Sequence, residues 1–274
     1  MPRPVNIEHA GRVARAEIDT TATAEQAWQA WAEPARISEW FTDRAKGKAA
    51  RGGTVTWFFD RFRTQFPYDV VAADENRRLV LKGSPPGRPP YLLEILIEPA
   101  PAGAGSRIRL LNSGFAVGAE NDEEYEGVVS GWVMALAILK QYLEHHFGSP
   151  KTGFFAMQPA PFTYDRILPL FQEEEGLMRW LTTSGSIGAP GERYQLTLRD
   201  GSPMSGRVLA LTAREVALSW DEIDGVAELK AFRLGPRSRA VAVRGCGWNL
   251  SEEQGAEIDR MLAKSIDRLV AILS

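Results

Sequence analysis

Cysteine is nearly absent from this chain: Cys246 is the single one among 274 residues, so no disulfide can form within the chain. Long apolar runs are missing too, and without a stretch of about 18 such residues the sequence offers no membrane-spanning helix. No signal peptide precedes the first strand, which together with the lone cysteine predicts a reducing, cytoplasmic location. A basic excess is also lacking, since the formal net charge is −3, and we therefore expect no nucleic-acid partner.

The residue types that usually bind metals or carry catalysis are scarce. The three histidines are His9, His145 and His146. Neighbouring helical residues point about 100° apart, so His145 and His146 are poorly placed to share one ion. Cys246 lies between two glycines with no histidine in its half of the chain, which favours a small buried side chain over a nucleophile. The sequence therefore predicts no metal and no cofactor, and it favours a non-catalytic role.

The chain is long enough for two domains of average size. Ordinary globular composition, with 44% hydrophobic and 24% charged residues, allows each half to bury a core. Glycine, serine and proline cluster at residues 148–153, near the middle of the chain. Because such clusters interrupt regular structure, we expect one domain at residues 1–148 and a second at 154–274.

The first half reads as one strand, two short helices, five strands and one long helix. The strand is expected at residues 12–20, and Thr23 with Gln26 forms a capping-box pattern that begins the first helix. The five strands are separated by turn residues or by the proline-rich loop at residues 84–90, which favours an antiparallel sheet. Apolar residues spaced by three or four predict the long helix at residues 125–147. A curved sheet that grips this helix leaves a space between them.

Five motifs in the first half resemble the START-like, or SRPBCC, superfamily, in its branch related to the activator of Hsp90 ATPase (AHSA1). They are residues 21–28, residues 33–41, the Gly52-Gly53 pair, residues 70–80 and the Gly131-Trp132 pair. The resemblance covers residues from about 12 to 147. It implies an α+β helix-grip fold, a curved antiparallel sheet wrapped around a long C-terminal helix.

The second half shows the same order in a shorter form. A helix region is followed by strands and by a closing helix that begins at the capping box of Ser251 and Gln254. Trp180-Leu181 ends the early helix region as Trp40-Phe41 does in the first half. We therefore predict tandem START-like domains, the second one degenerate; an unrelated α+β domain with the same order is the alternative.

In a helix-grip fold, the residues between sheet and helix decide the function. Aromatic side chains could either line a ligand cavity there or fill the space as core, and the sequence leaves both open. The candidate cavity residues are Trp57, Phe59, Phe66, Tyr68, Glu94, Trp132, Leu136 and Leu139.

Three functions are compatible with these patterns. The first is a non-catalytic protein that holds a small apolar or lipid-like ligand. The second, implied by the resemblance, is a stress- or chaperone-linked interaction module with a protein partner, although the Asn-x-Asn-Asn-Trp-His-Trp segment of the Hsp90 activator's other domain has no counterpart here. The third is a START-like enzyme of the cyclase, dehydratase or hydrolase type, with Glu94 or Asp69 as a cavity base.

Overall fold

A computed structural model describes residues 9–84, 90–235 and 238–274. The chain divides into two compact units, the first comprising Met1–Trp132 and Leu139–Ser149 and the second Val133–Ile138 and Pro150–Ser274. Most of the predicted proline-rich loop lies outside the described residues. The expected domain bounds, 1–148 and 154–274, stay a prediction.

The first unit is built on a seven-stranded antiparallel sheet of order β1-β7-β6-β5-β4-β3-β2. All five strands predicted between the helices are present, and the sequence patterns missed one short strand, β2. The strands are β1 (Arg12–Thr20), β2 (Arg44–Gly47), β3 (Thr54–Phe59), β4 (Thr64–Asp74), β5 (Arg78–Gly83), β6 (Tyr91–Pro99) and β7 (Ser106–Phe115).

Helices connect and close this sheet. Two short ones, α1 (Ala24–Ala32) and α2 (Pro34–Ser38), follow β1, and the long α3 (Asp122–Gln141) follows β7 and continues as a π-helical turn, Tyr142–His146. The predicted capping box is confirmed, because Gln26 N donates to Thr23 Oγ1 over 3.2 Å and Thr23 N donates to Gln26 Oε1 over 3.0 Å. Tyr125 on α3 donates to Val13 O on β1 over 3.0 Å, so the long helix is joined to the sheet as predicted.

The second unit repeats this architecture. Its sheet has the order β8-β14-β13-β12-β11-β10-β9, the same order shifted by one set of seven strands. The elements are β8 (Thr152–Pro159), α4 (Ile167–Gln172), α5 (Glu174–Met178), β9 (Thr182–Ser184), β10 (Arg193–Leu198), β11 (Pro203–Leu211), β12 (Glu215–Trp220), β13 (Gly225–Gly235), β14 (Ser238–Gly247) and α6 (Glu252–Leu273). The prediction missed β8 and β9, so the repeat is more complete than the sequence indicated.

Strand register makes the two units comparable residue by residue. Val70 pairs with Leu81 in the first sheet and Val208 with Leu218 in the second, each next to an irregularity in the pairing. Counting four residues back from Val70 and Val208 gives Phe66 and Met204, so the pairs Trp57–Phe66 and Leu196–Met204 occupy the same position in the two sheets.

The early helices show the same equivalence. Trp40 Nε1 donates to Ala30 O over 3.0 Å, and Trp180 Nε1 donates to Leu170 O over 2.8 Å, in both cases ten residues back along the chain. The strand order, the register and this shared hydrogen bond together establish tandem helix-grip domains.

Candidate functional site

The face of the first sheet that meets α3 carries most of the predicted site residues. Trp132 Nε1 on α3 donates to Asn112 Oδ1 over 3.0 Å. Asn112 pairs with Leu93, so the face that carries these two residues is the inner face of the sheet. The pairs Val55–Tyr68 and Trp57–Phe66 alternate with outward residues along β3 and β4. Ring contacts join Trp57 and Tyr68 on this face, so the predicted aromatic residues of β3 and β4 do lie together.

Helices α1 and α2 bring further rings to the same place. The capping box begins α1 so that Trp31 lies in its last turn, 2% exposed. The bond from Trp40 to Ala30 O fixes the turn after α2 against α1. Trp31 and Trp40 then meet edge to face with ring centroids 4.9 Å apart.

Nine rings form one continuous aromatic cluster between the sheet and the helices. Centroid distances of 4.7 to 6.4 Å connect each ring to at least one other, as aromatic pairs prefer. Its members are Trp31, Trp40, Phe41, Trp57, Phe59, Phe66, Tyr68, Tyr91 and Trp132.

The aromatic cluster runs from the interior to the surface. Trp57 is 2% exposed and Tyr68 is 6% exposed, whereas Phe66 is 38% exposed. Phe41 and Trp132 are half-buried between these extremes, and their rings stack with centroids 5.8 Å apart. The rings thus form a continuous apolar surface that extends from the buried Trp31 and Trp57 to the exposed Phe66.

The polar groups of the aromatic cluster are neutral. Burial raises the pKa of Tyr68 well above its ordinary value, and the adjacent Tyr91 adds to this effect. Asn112 both accepts from Trp132 and donates to Leu92 O over 3.0 Å, so its amide is satisfied. The indole Nε1 of Trp31, in contrast, is buried and donates to no acceptor.

Glu94 does not belong to this site, and its prediction as a cavity residue and candidate base is wrong. It pairs with Val80 and Leu111 on the face of the sheet opposite to Leu93. Its carboxylate accepts from Arg78 Nε and from His9 Nε2, each over 2.6 Å. Side chains alternate between the two faces of β6, so Leu93 and Glu94 point to opposite faces. Because Leu93 lies on the inner face, Glu94 lies on the outer one.

Other charged side chains of this sheet also lie on the outer face. Arg107 pairs with Asp19 over 2.7 Å, and Arg109 pairs with Glu17 over 3.2 Å. Asp69, the other proposed base, is exposed and lies opposite Lys82. A ladder of ion pairs thus covers the outer face, whereas the residues of the aromatic cluster are uncharged.

The two predicted leucines are buried on α3. Leu139 is fully buried and belongs to the first unit. Leu136 is 1% exposed and lies in the segment Val133–Ile138, which groups with the second unit. Leu136 therefore lies outside the unit that contains the aromatic cluster.

Sequence patterns assigned only packing roles to Trp31, Trp40 and Phe41 and did not identify Asn112 or Tyr91. The usable signal for Asn112 was its position in β7, where an amide replaces an apolar residue on the alternating inner face. For the helical rings the signal was weaker, because a tryptophan spaced as a core residue looks the same whether it fills a core or lines a site.

On β10 and β11 the second unit carries aliphatic residues where β3 and β4 of the first carry rings. Leu196, Leu198 and Met204 stand at the positions of Trp57, Phe59 and Phe66, and each is at most 3% exposed. Gly206 replaces Tyr68 and Gly245 replaces Asn112. The inside of the second sheet is a closed apolar core.

Cys246 lies in the second unit and is buried as predicted. Burial raises the pKa of its thiol to about 11, which disfavours the reactive thiolate. Among residues 9–84, 90–235 and 238–274, no group of three or more histidine, cysteine, aspartate or glutamate side chains is arranged to hold a metal ion. Within the same ranges, no helix is both long and apolar enough to cross a membrane.

Comparison with known proteins gives a match over the first unit. Residues 21–144 match the family model described as "Activator of Hsp90 ATPase homolog 1-like protein". A search of curated proteins gave no match.

Among solved structures, the chain is similar to three at low sequence identity. The di-domain ARO/CYC BexL from the BE-7585A biosynthetic pathway is 14% identical with a TM-score of 0.45, over 96% of this chain and 99% of that one. DynU16 from the dynemicin biosynthetic locus is 18% identical with a TM-score of 0.44, over the same shares of the two chains. The Aha1 dimer from Colwellia psychrerythraea is 17% identical with a TM-score of 0.44, over 50% of this chain and 100% of that one.

These likenesses are too distant to transfer a function, so the fold rests on the strand order and register described above. The family match, residues 21–144, includes every residue of the aromatic cluster. The match over residues 21–144 agrees with the resemblance to the AHSA1-like branch that the motifs of the first half predicted.

Proposed function

We propose that the first unit is a non-catalytic binding module that holds a small apolar ligand against the outer part of the aromatic cluster. The observation that carries this proposal is the continuous path of rings from the buried Trp57 to Phe66, which is 38% exposed. A fold that needed these rings only as core would bury all of them, as the second unit buries its equivalents.

The energetic reason is the apolar surface that the half-buried rings leave in water. Covering such surface contributes about 25 cal/mol per Å² before the entropic cost of association. The rings of Phe41, Phe66 and Trp132, which are partly exposed, can stack against a ligand that is itself aromatic or otherwise flat. A small apolar molecule thus gains both burial and ring contacts at this place.

The alternative function, a START-like enzyme with Glu94 as its base, loses its candidate residue. The carboxylate is on the outer face and is held by Arg78 and His9. A general base has to reach the proton that it removes. No observation in the structure favours the second expectation, a chaperone-linked protein partner, over ligand binding.

A fluorescence titration with fluorene, a flat tricyclic hydrocarbon, tests the proposal. We expect saturable binding of one fluorene per chain, because the inner rings of β3 and β4 reach the surface in the first unit, whereas their equivalents in the second unit are buried. Phe66→Ser is expected to weaken binding about three- to tenfold, since it removes the outermost ring and its burial of apolar surface.

The matched control is Leu234→Ser in the second unit, which removes an apolar side chain of similar exposure, 44% against 38% for Phe66. This variant should leave the Kd for fluorene unchanged. Failure of the unmodified protein to bind fluorene, or an equal loss in both variants, would disprove the proposal.

A further inference from the structure

The indole N–H of Trp31 is a hydrogen-bond donor without an acceptor in the middle of the aromatic cluster. The Trp31 side chain is 2% exposed, and its Nε1 has no partner. Its ring contacts those of Trp40, Phe41, Trp57 and Trp132, with centroid distances of 4.9 to 6.4 Å. A buried donor in such surroundings has lost its bonds to water without replacement, which destabilises the protein.

Two neighbouring indoles of the same cluster are satisfied. Trp40 Nε1 donates to Ala30 O and Trp132 Nε1 donates to Asn112 Oδ1, both over 3.0 Å. The fold therefore supplies a hydrogen-bond acceptor to Trp40 and Trp132 but none to Trp31. Unpaired buried polar groups in native proteins are uncommon, and they call for a reason such as a ligand.

The second unit shows that the fold itself does not need this donor. Phe171 precedes Trp180 by nine residues, as Trp31 precedes Trp40. The rings of Phe171 and Trp180 are in contact, 5.9 Å apart, and Phe171 is fully buried. A ring without an N–H thus packs well at the equivalent position, so the fold itself does not require the donor of Trp31.

The neighbours of Trp31 also restrict the charge of any ligand. Its contacts are neutral rings, while the ion pairs of the sheet, such as Arg78–Glu94, lie on the outer face. A charged group moved among these rings would lose its hydration and find no counter-ion.

We infer that Trp31 selects, among flat apolar ligands, a neutral one that carries a hydrogen-bond acceptor such as a ring ketone or ether oxygen. This inference rests on the proposed function, because it assigns the polar contact of the same site. The acceptor meets Trp31 Nε1 while the rest of the ligand stacks on the surrounding rings.

The test compares 9-fluorenone with fluorene, which share one tricyclic framework and differ by a carbonyl oxygen. The two ligands are titrated into the unmodified protein and into Trp31→Phe, the residue found at this position in the second unit. We expect the preference for fluorenone over fluorene to be about two- to twelvefold greater in the unmodified protein than in Trp31→Phe, the range of one hydrogen bond. The Kd for fluorene should be the same in both proteins.

The matched control is Trp220→Phe, which removes another unpartnered indole N–H, this time in the core of the second unit. It should keep the full preference for fluorenone. Comparing preferences between proteins cancels the different solubilities of the two ligands.

A second measurement does not depend on a variant. In the NMR spectrum of ¹⁵N-labelled protein, the indole N–H resonance of Trp31 should shift downfield with fluorenone and much less with fluorene. An unchanged preference in Trp31→Phe, or equal shifts with both ligands, overturns the inference and leaves ligand binding intact. Absence of binding by either ligand overturns the proposed function itself.

Discussion

The two units of this chain have the same strand order but different side chains on the inner faces of the equivalent strands. In the first, the inner face of β3 and β4 carries Trp57, Phe59 and Phe66, and the rings extend to the surface. In the second, the same register positions hold Leu196, Leu198 and Met204, all almost completely buried. Because the strand register is shared, the difference between the two interiors at these positions lies in the side chains alone.

The outer faces of the two sheets can also be compared position by position. Glu94 and Glu228 occupy equivalent positions, opposite Val80 and Ala217 respectively. Glu94 is held by Arg78 and His9, while Glu228 is fully enclosed and held by Arg244 and Lys230. Burial works against the charged form of Glu228, but the two cations outweigh it and lower the pKa of the carboxyl group. Both units therefore place a buried carboxylate at one point of the sheet and pair it differently.

The largest effect is expected from replacing these two carboxylates. Glu228→Gln should lower the free energy of unfolding by about 3–5 kcal/mol, because Arg244 loses its paired carboxylate and Lys230 keeps only Glu215. Glu94→Gln should cost about 1–3 kcal/mol, since it weakens hydrogen bonds to partners that are partly hydrated. Urea unfolding monitored by circular dichroism and fitted with two transitions measures both. Equal losses would show that the two pairings are energetically alike.

A smaller and symmetric effect is expected at the paired tryptophans of the early helices. Trp40→Phe and Trp180→Phe each remove an indole N–H that binds the carbonyl ten residues back. Each should lower the free energy of unfolding by about 1–3 kcal/mol, because a buried carbonyl loses its donor. Thermal unfolding by calorimetry is the measurement. A loss confined to one unit would argue against equivalent roles for the two bonds.

The smallest effect is expected at the capping boxes. Thr23→Ala and Ser251→Ala each remove a hydroxyl that accepts from the backbone N–H three residues on. Each change should cost about 1 kcal/mol of stability. The control variants Thr23→Ser and Ser251→Thr keep a hydroxyl and should retain most of that stability. If alanine and the hydroxyl-bearing residues behave alike in urea unfolding, the caps contribute nothing measurable.

Local patterns predicted the elements with strong periodicity and clear caps. The five strands of the first half, the long helices and both capping boxes follow from spacings within a few residues, and the structure contains them. The short strands β2 and β9 were missed because three or four residues carry too little alternation. β8 was missed because the glycine-rich boundary before it hid the start of a strand that pairs with β14, far along the chain.

The candidate site was only half predictable. Alternation correctly grouped Trp57, Phe59, Phe66 and Tyr68, but it left open which of the two faces of β6 would meet α3. Glu94 was therefore assigned to the wrong face. Its strand carries apolar residues on both faces, and only the pairing with β5 and β7 shows that Glu94 lies on the outer one. The role of Trp31 could not be predicted either. Whether an indole N–H has an acceptor depends on which atoms the fold places around it.

By itself, the amino-acid sequence determined the helix-grip class, the two-part organisation and the aromatic residues of the first half, since these depend on periodicity, caps and residue type. The tertiary structure alone decided which side chains face the long helix, which carboxylates are paired outside it and which indole lacks an acceptor. Each of these depends on contacts between residues distant in the chain, and a pattern of neighbours along one strand or helix holds no information about them.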